Sequence, residues 1–260
     1  MNQTVFITLT GKTNAGKSTL LNKLIGEHIA AVSPKPNTTL TNITGIITEG
    51  STQFVFIDTP GGNFETNNAD VLLYVHDIKR KFSDRELESI AKIKIPVILL
   101  ISKVDLVGKD SVAKFINYIK DKQDFASIIP VSVVDEINLN IIKKEIKKFA
   151  KEAHFYYDPE KFTDQDELFI TSEFIREKCL YFLRDEIPHN IEVKIEKFTE
   201  RTKKEILDIS AVIVCEKKNH KGIIIGKDGE MLKRIATEAR LLLEEFFKIK
   251  VNLEIYVKSE

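Results

Sequence analysis

At 260 residues, with 43% hydrophobic and 30% charged positions, the chain exceeds the usual single-domain size; its composition predicts two globular domains and excludes a disordered chain. Its 39 Lys and Arg balance 39 Asp and Glu, which excludes a protein that grips nucleic acid through bulk charge alone. No run approaches about 18 consecutive apolar residues, and the start MNQTVFITLT lacks the basic region and long apolar core of a secretory signal, so a cytosolic protein is expected.

Short β-rich apolar runs come first: VFITL from residue 5, FVFI from 54, VLLYV from 71, VILLI from 97 and SIIPVS from 127. They alternate with polar, helix-patterned segments such as STLLNKLIGE and SVAKFINYIKDK, a rhythm that predicts an α/β fold with a mostly parallel sheet and helices on its faces. INLNIIKKEIKKFAKEA then reads as a helix, with apolar residues three and four apart, and the polar segment HFYYDPEKFTDQDE, with Pro159, reads as a linker. The expected division is a first domain over 1–154, a linker over 155–164 and a second domain over 165–260. Beyond the linker come a helix (ELFITSEFIREKCLYFLRDE), two strands (IEVKIEKF and ILDISAVIVCE), a glycine turn, a long helix (EMLKRIATEARLLLEEFF) and a last strand (VNLEIYV). That order predicts a small α+β domain of αββαβ type, with room for a short extra helix at the glycine turn.

The first chemical signal is GKTNAGKSTL, because Gly11, Gly16, Lys17 and Ser18 fit G-x-x-x-x-G-K-[ST] with an apolar strand before and a helix after. Glycines let successive N–H groups point inward at a phosphate chain, and the following helix presents its positive end to the same anions. Lys17 is expected to reach the β- and γ-phosphates and Ser18 to ligate Mg²⁺. In FVFIDTPGG, Asp58 ends an apolar strand and Gly61 follows three residues later. A carboxylate at that place holds the metal through water, and a glycine amide approaches the γ-phosphate closely. In VILLISKVDL, Lys103 and Asp105 follow another buried strand. Asp105 selects guanine, whose ring N–H and exocyclic amine can both donate to one carboxylate, whereas adenine lacks that amine.

The second domain carries HKGIIIGKDGEMLKRI, where Gly226 and Gly229 form G-x-x-G between an apolar, strand-like run and a helix. Glycines there let a nucleic-acid backbone pass close to amides at a helix N-terminus, with Lys227 beside it. By count, residues 1–155 hold 20 basic and 17 acidic side chains and residues 156–260 hold 19 and 22, so an RNA site must be local. Lys217, Lys218, Lys221, Lys233 and Arg234 supply that local charge against Asp228 and Glu230. Cys179 and Cys215 have no metal or disulfide spacing and read as buried thiols, and the histidines (His28, His76, His154, His189, His220) are too scattered to suggest a metal site.

With these motifs in order, residues 1 to about 155 resemble a small GTPase domain, and the whole chain resembles the bacterial Era family, which joins a GTPase to a type II KH RNA-binding domain. NTT at 37–39 is similar to the family's first switch, DTPG at 58–61 to its second, SKVD at 102–105 to its base motif and PVSVV at 130–134 to its last nucleotide loop. The resemblance implies a nucleotide site formed by Asn14, Ala15, Gly16, Lys17, Ser18, Thr19, Asp58, Ser102, Lys103, Asp105, Ser132 and Val133. It implies that Thr39 completes a Mg²⁺ shell with Ser18 and Asp58, that Lys17, Thr39 and Gly61 serve hydrolysis of GTP, and that Asn14 stands where the family's K⁺-associated asparagine does. It implies RNA contacts from Lys221, Gly226, Lys227, Asp228, Gly229 and Lys233. The implied partners are 16S rRNA and the small ribosomal subunit, in whose maturation the family acts. A monomer is the default, and peripheral association with the inner face of the membrane is left open, with no amphipathic anchor legible.

Four departures stand beside the resemblance. Ser102 replaces the family's asparagine, and so short a side chain is expected not to span from guanine to the phosphate loop, lowering guanine affinity. Only nine residues separate Gly61 from Val71, where the family carries a switch helix, and Leu40 stands in place of arginine. Gly62 follows Gly61, so here, as in the family, no water-orienting glutamine stands and slow intrinsic hydrolysis is expected. The chain stops at YVKSE, where family members continue with a basic and aromatic tail. The first two departures motivate a second reading, an RNA-binding adaptor whose degenerate nucleotide domain no longer hydrolyses.

Overall fold

Along strand β1 (Gln3–Gly11), Val5, Ile7 and Leu9 alternate with Thr4, Thr8 and Thr10, and both sets are buried. A strand covered on both faces belongs in the middle of a sheet flanked by helices, and the computed structural model places β1 there, between β3 (Thr52–Asp58) and β4 (Val71–Asp77). The structure describes residues 1–33, 35, 38–39, 41–60, 68–184, 191–201 and 205–259. By contacts the chain divides into Met1–Ile29 with Thr39–Asp164, and Ala30–Thr38 with Gln165–Glu260.

In the first unit, β2 (Ile43–Glu49), β5 (Val97–Ser102) and β6 (Ser127–Pro130) complete the order β2-β3-β1-β4-β5-β6, with β7 (Lys151–Glu152) pairing with β1. The pairs β1–β3, β1–β4, β4–β5 and β5–β6 are parallel, while β2 and β7 are antiparallel to their neighbours. Helices α1 (Lys17–Ile25), α2 (Asp84–Ala91), α3 (Lys109–Lys120) and α4 (Leu139–Lys147) make the connections. Leu72, Tyr74, Phe82, Ile90, Leu99, Ile101 and Ile119 form one buried cluster.

Two elements differ from the sequence reading. Strand β2 was not anticipated, because ITGIITE is rich in threonine and broken by Gly45, yet it zips antiparallel to β3 over its whole length. Gly45 is needed for packing: a Cβ there would stand 2.2 Å from Cδ1 of Ile25 on α1. The helix expected over 137–153 is shorter, since Lys151 and Glu152 turn into β7 and take up the edge bonds of Thr4 and Gln3. Gln53, fully buried, then clamps the following segment: its Oε1 accepts from the N–H groups of Tyr156 and Tyr157, and its Nε2 donates to the Tyr157 carbonyl.

The second unit runs α5 (Glu167–Phe182), β8 (Ile191–Arg201), β9 (Ile206–Cys215), α6 (Lys218–Ile225), α7 (Glu230–Phe247) and β10 (Lys250–Ser259). Its sheet has the order β10-β9-β8, with β9 antiparallel to β8 and parallel to β10. Ile175, Cys179, Ala211, Ile213, Cys215, Ile224, Ile235, Ala239 and Val257 form its core. Both cysteines are buried free thiols, and burial pushes Cys179 up to about 12. The run GIII before the G-x-x-G is the end of helix α6 and not a strand: Gly226 N–H bonds back to the Gly222 carbonyl, and Ile224 is buried while Ile223 is half exposed. A mostly parallel α/β unit is therefore followed by a small α+β unit, as the rhythm of the sequence predicts.

Residues Ala30–Thr38 belong to this second unit, although they lie in sequence between α1 and β2. Their anchors are on α5 and just beyond it. Val32 N–H donates to Glu177 Oε2 (2.8 Å), Arg176 Nη2 donates to the Thr38 carbonyl (2.6 Å), and Lys35 Nζ donates to the Leu183 carbonyl.

Candidate functional site

Because β1, β3, β4, β5 and β6 run parallel, the segments that follow them emerge at one edge of the sheet. In an open α/β sheet that edge is where a ligand fits, beside the strand at which the order reverses; here that strand is β1. Gly11 ends it with φ 145°, and a Cβ would stand 2.2 Å from the Val75 carbonyl oxygen, so no side chain fits. Gly16, left-handed at φ 95°, starts α1 with no side-chain cap, which leaves the first amides of the helix for an anion.

Four predicted residues meet in this loop's mouth. Lys17 is buried, and its ammonium donates to the carbonyls of Gly11 (3.3 Å) and Lys12 (3.5 Å). Burial pulls its pKa down, and the charge of Asp58 opposes that. Ser18 Oγ donates to Asp58 Oδ2 (2.8 Å) and lies 3.0 Å from Thr39 Oγ1. Asp58 is fully buried, and burial raises its carboxyl to about 6 against the pull of Ser18, Lys17 and Thr39. Its other oxygen, Oδ1, has no hydrogen-bond partner among the described residues. An orphaned carboxylate oxygen beside two hydroxyls is a hard-oxygen donor set of the kind Mg²⁺ takes.

The base motif is wired to the phosphate loop. Lys103 Nζ donates to the Asn14 carbonyl (2.7 Å) and pairs with Asp77 (2.8 Å). Ser102 meets the phosphate loop: its hydroxyl lies 2.7 Å from the Ala15 carbonyl oxygen and 3.1 Å from that of His76. Its single proton is thereby committed to the loop, with no second polar group to offer a base. Asp105 sits half-buried in a 3₁₀ turn (Val104–Leu106), with no partner for its carboxylate among the described residues. Ser132 is buried and its Oγ accepts from Asp135 N–H, while Val131, just before it, accepts from Val104 N–H; Val133 is half-buried beside them. Thr19 lies in the first turn of α1. Gly61, together with Gly62, Asn37, Leu40 and most of the span from Gly61 to Val71, lies outside the described residues.

The sequence reading missed the brace around Lys12. Glu86 accepts from Lys12 Nζ (2.5 Å), Tyr74 Oη (2.9 Å), Ser83 Oγ (2.7 Å) and Ser83 N–H (2.9 Å). Burial alone would raise its carboxyl, but these donors bring it down to about 2. The signal was present, since S-x-x-E in FSDRELES is a capping box at the start of α2.

In the second unit, Gly226 (φ 74°), Asp228 (φ 53°) and Gly229 (φ 79°) turn the chain between α6 and α7. A Cβ on Gly226 would stand 2.7 Å from that of Met231. Gly229 leaves α7 without a side-chain cap. Lys221, Lys227, Asp228 and Lys233 are exposed around this turn. Arg234 is spoken for, its guanidinium 4.3 Å above the Phe182 ring.

Comparison with known proteins completes the picture. The family model described as 50S ribosome-binding GTPase matches residues 6–103, and that of the KH domain matches residues 186–260. GTPase Era of Thermoanaerobacter sp. (strain X514) is 40% identical over 98% of this chain and 90% of its own length. The chain belongs to the Era GTPase family. GTPase Era of Clostridioides difficile (strain 630) is 39% identical over 97% of this chain and 92% of its own. Among solved structures, Era in complex with MgGDPNP and nucleotides 1506–1542 of 16S ribosomal RNA superposes with a TM-score of 0.92 at 30% identity, covering 100% of this chain and 94% of that one. A point variant of Aquifex aeolicus Era bound to GDP·AlF₄⁻ gives 0.92 at 30% identity over 99% and 94%. As an Era protein the chain is a GTPase, which converts GTP to GDP and phosphate, and its second unit is a KH domain. No helix among the described residues is long and apolar enough to cross a membrane.

Proposed function

We propose that this Era GTPase binds Mg²⁺ with GTP at the mouth of the β1 loop, and 16S rRNA at the turn between α6 and α7, as a cytoplasmic factor in maturation of the small ribosomal subunit. The observation that carries the nucleotide half is the cluster of Lys17, Ser18, Thr39 and Asp58 with its orphaned oxygen. An adaptor with a relic nucleotide domain fits this poorly, because a buried carboxylate oxygen without a partner costs stability unless a ligand satisfies it.

On this reading Lys17 exchanges its two carbonyls for phosphate oxygens, while Ser18, Thr39 and Asp58 hold the metal, which neutralises charge developing on the phosphates. Asp105 accepts from the guanine edge, Ser102 and Lys103 keep Ala15 and Asn14 in place, and Ser132 and Val133 close the base side. Gly61 offers its amide to the γ-phosphate. Asn14 assists K⁺, a finer element supported by the resemblance alone. In the second unit, Gly226 and Gly229 admit the RNA backbone while Lys221, Lys227, Lys233 and Asp228 border it. The family structure with 16S rRNA supports that choice of RNA. Peripheral membrane association and a monomeric state complete the proposal.

A titration of fluorescent GDP, GTP and ATP with Mg²⁺, followed by turnover in K⁺ and in Na⁺, tests the reading. Guanine-selective binding with turnover faster in K⁺ is expected. Binding of guanine nucleotides without turnover would return the adaptor.

A further inference from the structure

The C-terminal end of α5 carries an aromatic pair with one side in solvent. Tyr181 is 61% exposed. Its ring centroid lies 5.1 Å from that of Phe182 with the planes at 87°, so Phe182 covers at most one of its faces. Phe182, the last residue of α5, is half-buried against the core of the second unit, which ties the pair to the fold. Arg234 reaches the pair from α7, its guanidinium carbon 4.3 Å from the Phe182 ring centroid. That stack uses the flat face of the guanidinium and leaves N–H groups at its rim. Arg234 is exposed and has no carboxylate partner among the described residues. Its neighbour Lys233, and Arg184 two residues beyond Phe182, are exposed as well. Arg234 lies five residues past Gly229, the residue that starts α7. At about 1.5 Å per residue, the cluster stands about 7.5 Å along that helix from the G-x-x-G turn.

We infer that Tyr181 and Arg234 form a second RNA contact on the KH-bearing unit: an unpaired base stacks on the open face of Tyr181, and Arg234 takes the phosphate beside it. This rests on the reading that RNA binds at the turn between α6 and α7. Exposure alone would leave Tyr181 an ordinary surface residue, and it is the combination that points to a single strand. A π-face serves a base and an adjacent unpaired cation serves its phosphate, the pairing by which single-stranded nucleic acid is held. A duplex offers no such base, because its bases are already stacked on one another. Position supports the same occupant. A G-x-x-G turn clamps about four nucleotides, and a strand continuing from it toward α5 covers the remaining distance in about two more at a stacked rise of about 3.4 Å. The contact therefore lengthens the RNA footprint and rewards longer strands over short ones.

Tyr181→Leu removes the ring and keeps an apolar helix former, Tyr181→Phe keeps the ring, and Lys227→Ala weakens the turn itself. Each full-length chain is titrated with two single-stranded RNAs from the 3′ end of 16S rRNA, one of about four nucleotides and one of about twelve, and its melting temperature is recorded. The expected result for Tyr181→Leu is about tenfold weaker binding of the longer RNA, no change for the shorter and an unchanged melting temperature, with Tyr181→Phe at wild-type values. Arg234→Met is expected to weaken the longer RNA alone and to make its slope of log affinity against log salt shallower by about 1. Wild-type affinity for the longer RNA in Tyr181→Leu, while Lys227→Ala is impaired, would overturn the inference and leave the turn as the RNA site. Failure of the unaltered chain to bind the longer RNA would remove that reading and the inference with it. A lower melting temperature in Tyr181→Leu with an equal loss for both RNAs would reduce Tyr181 to a structural role and overturn the inference too.

Discussion

The mouth of the β1 loop and the turn between α6 and α7 are both made of glycines and lysines, yet they treat their lysines in opposite ways. Lys17 and Lys103 each lie on carbonyls of the loop, and Lys12 lies on Glu86. Around the turn, Lys221, Lys227 and Lys233 stand in solvent. The first site is organised before any ligand arrives, which suits the compact polyanion proposed for it. The second leaves its charges hydrated, and on the proposed reading its affinity comes from neutralising phosphates along a flexible strand and depends on salt.

The most direct way to break this contrast is Lys17→Ala, which removes the buried ammonium that the proposed function assigns to the phosphates. A loss of nucleotide affinity of about 100-fold or more is expected in a titration, with RNA binding untouched; retained affinity would mean the loop is not the phosphate site.

Asp58→Asn sharpens it through pH. Because the folded-state pKa of Asp58 is raised to about 6, the native state holds the proton more tightly than the unfolded chain, so stability from this group is present at low pH and is lost as pH rises to 6. At pH 7 the ligand-free asparagine variant should therefore melt higher, by up to about 3 kcal/mol, while losing the Mg²⁺ dependence of nucleotide binding. Glu86, held near 2, has the opposite sign: its contribution is present above its ordinary value and is lost in strong acid.

Ser102→Ala comes next. It leaves the buried Ala15 carbonyl without its 2.7 Å donor, which costs about 1–3 kcal/mol, and GDP affinity should fall several-fold by calorimetry. The smallest effect is expected from Lys227→Ala: weaker binding to RNA from the 3′ end of 16S rRNA, with the slope of log affinity against log salt shallower by about 1. GTP turnover should not change. An unaltered slope would move the RNA elsewhere on the domain.

Much of this arrangement was legible in the sequence, for a definable reason. Gly11, Gly16, Lys17, Ser18, Asp58 and Asp105 are placed by spacing along single strand-to-loop junctions, and spacing survives in a string of letters. Strand β2 was missed because its Thr-rich pattern gains meaning only once β3 lies beside it. The helical character of GIII was missed because three β-branched residues in a row mask a period that burial of Ile224 reveals. That the Ser102 hydroxyl donates to the Ala15 carbonyl was not legible, because it depends on how closely the loop approaches β5. The connection of Arg176 to Thr38 spans 138 residues, a distance no local pattern encodes.

That same separation sets an order of events during synthesis. Val32 leaves the ribosome 145 residues before Glu177, its partner on α5. At about 5–20 residues per second that is roughly 7–30 s. The nascent chain thus has its complete phosphate loop and all six main strands of the first sheet translated while Ala30–Thr38 still lacks the helix that receives it.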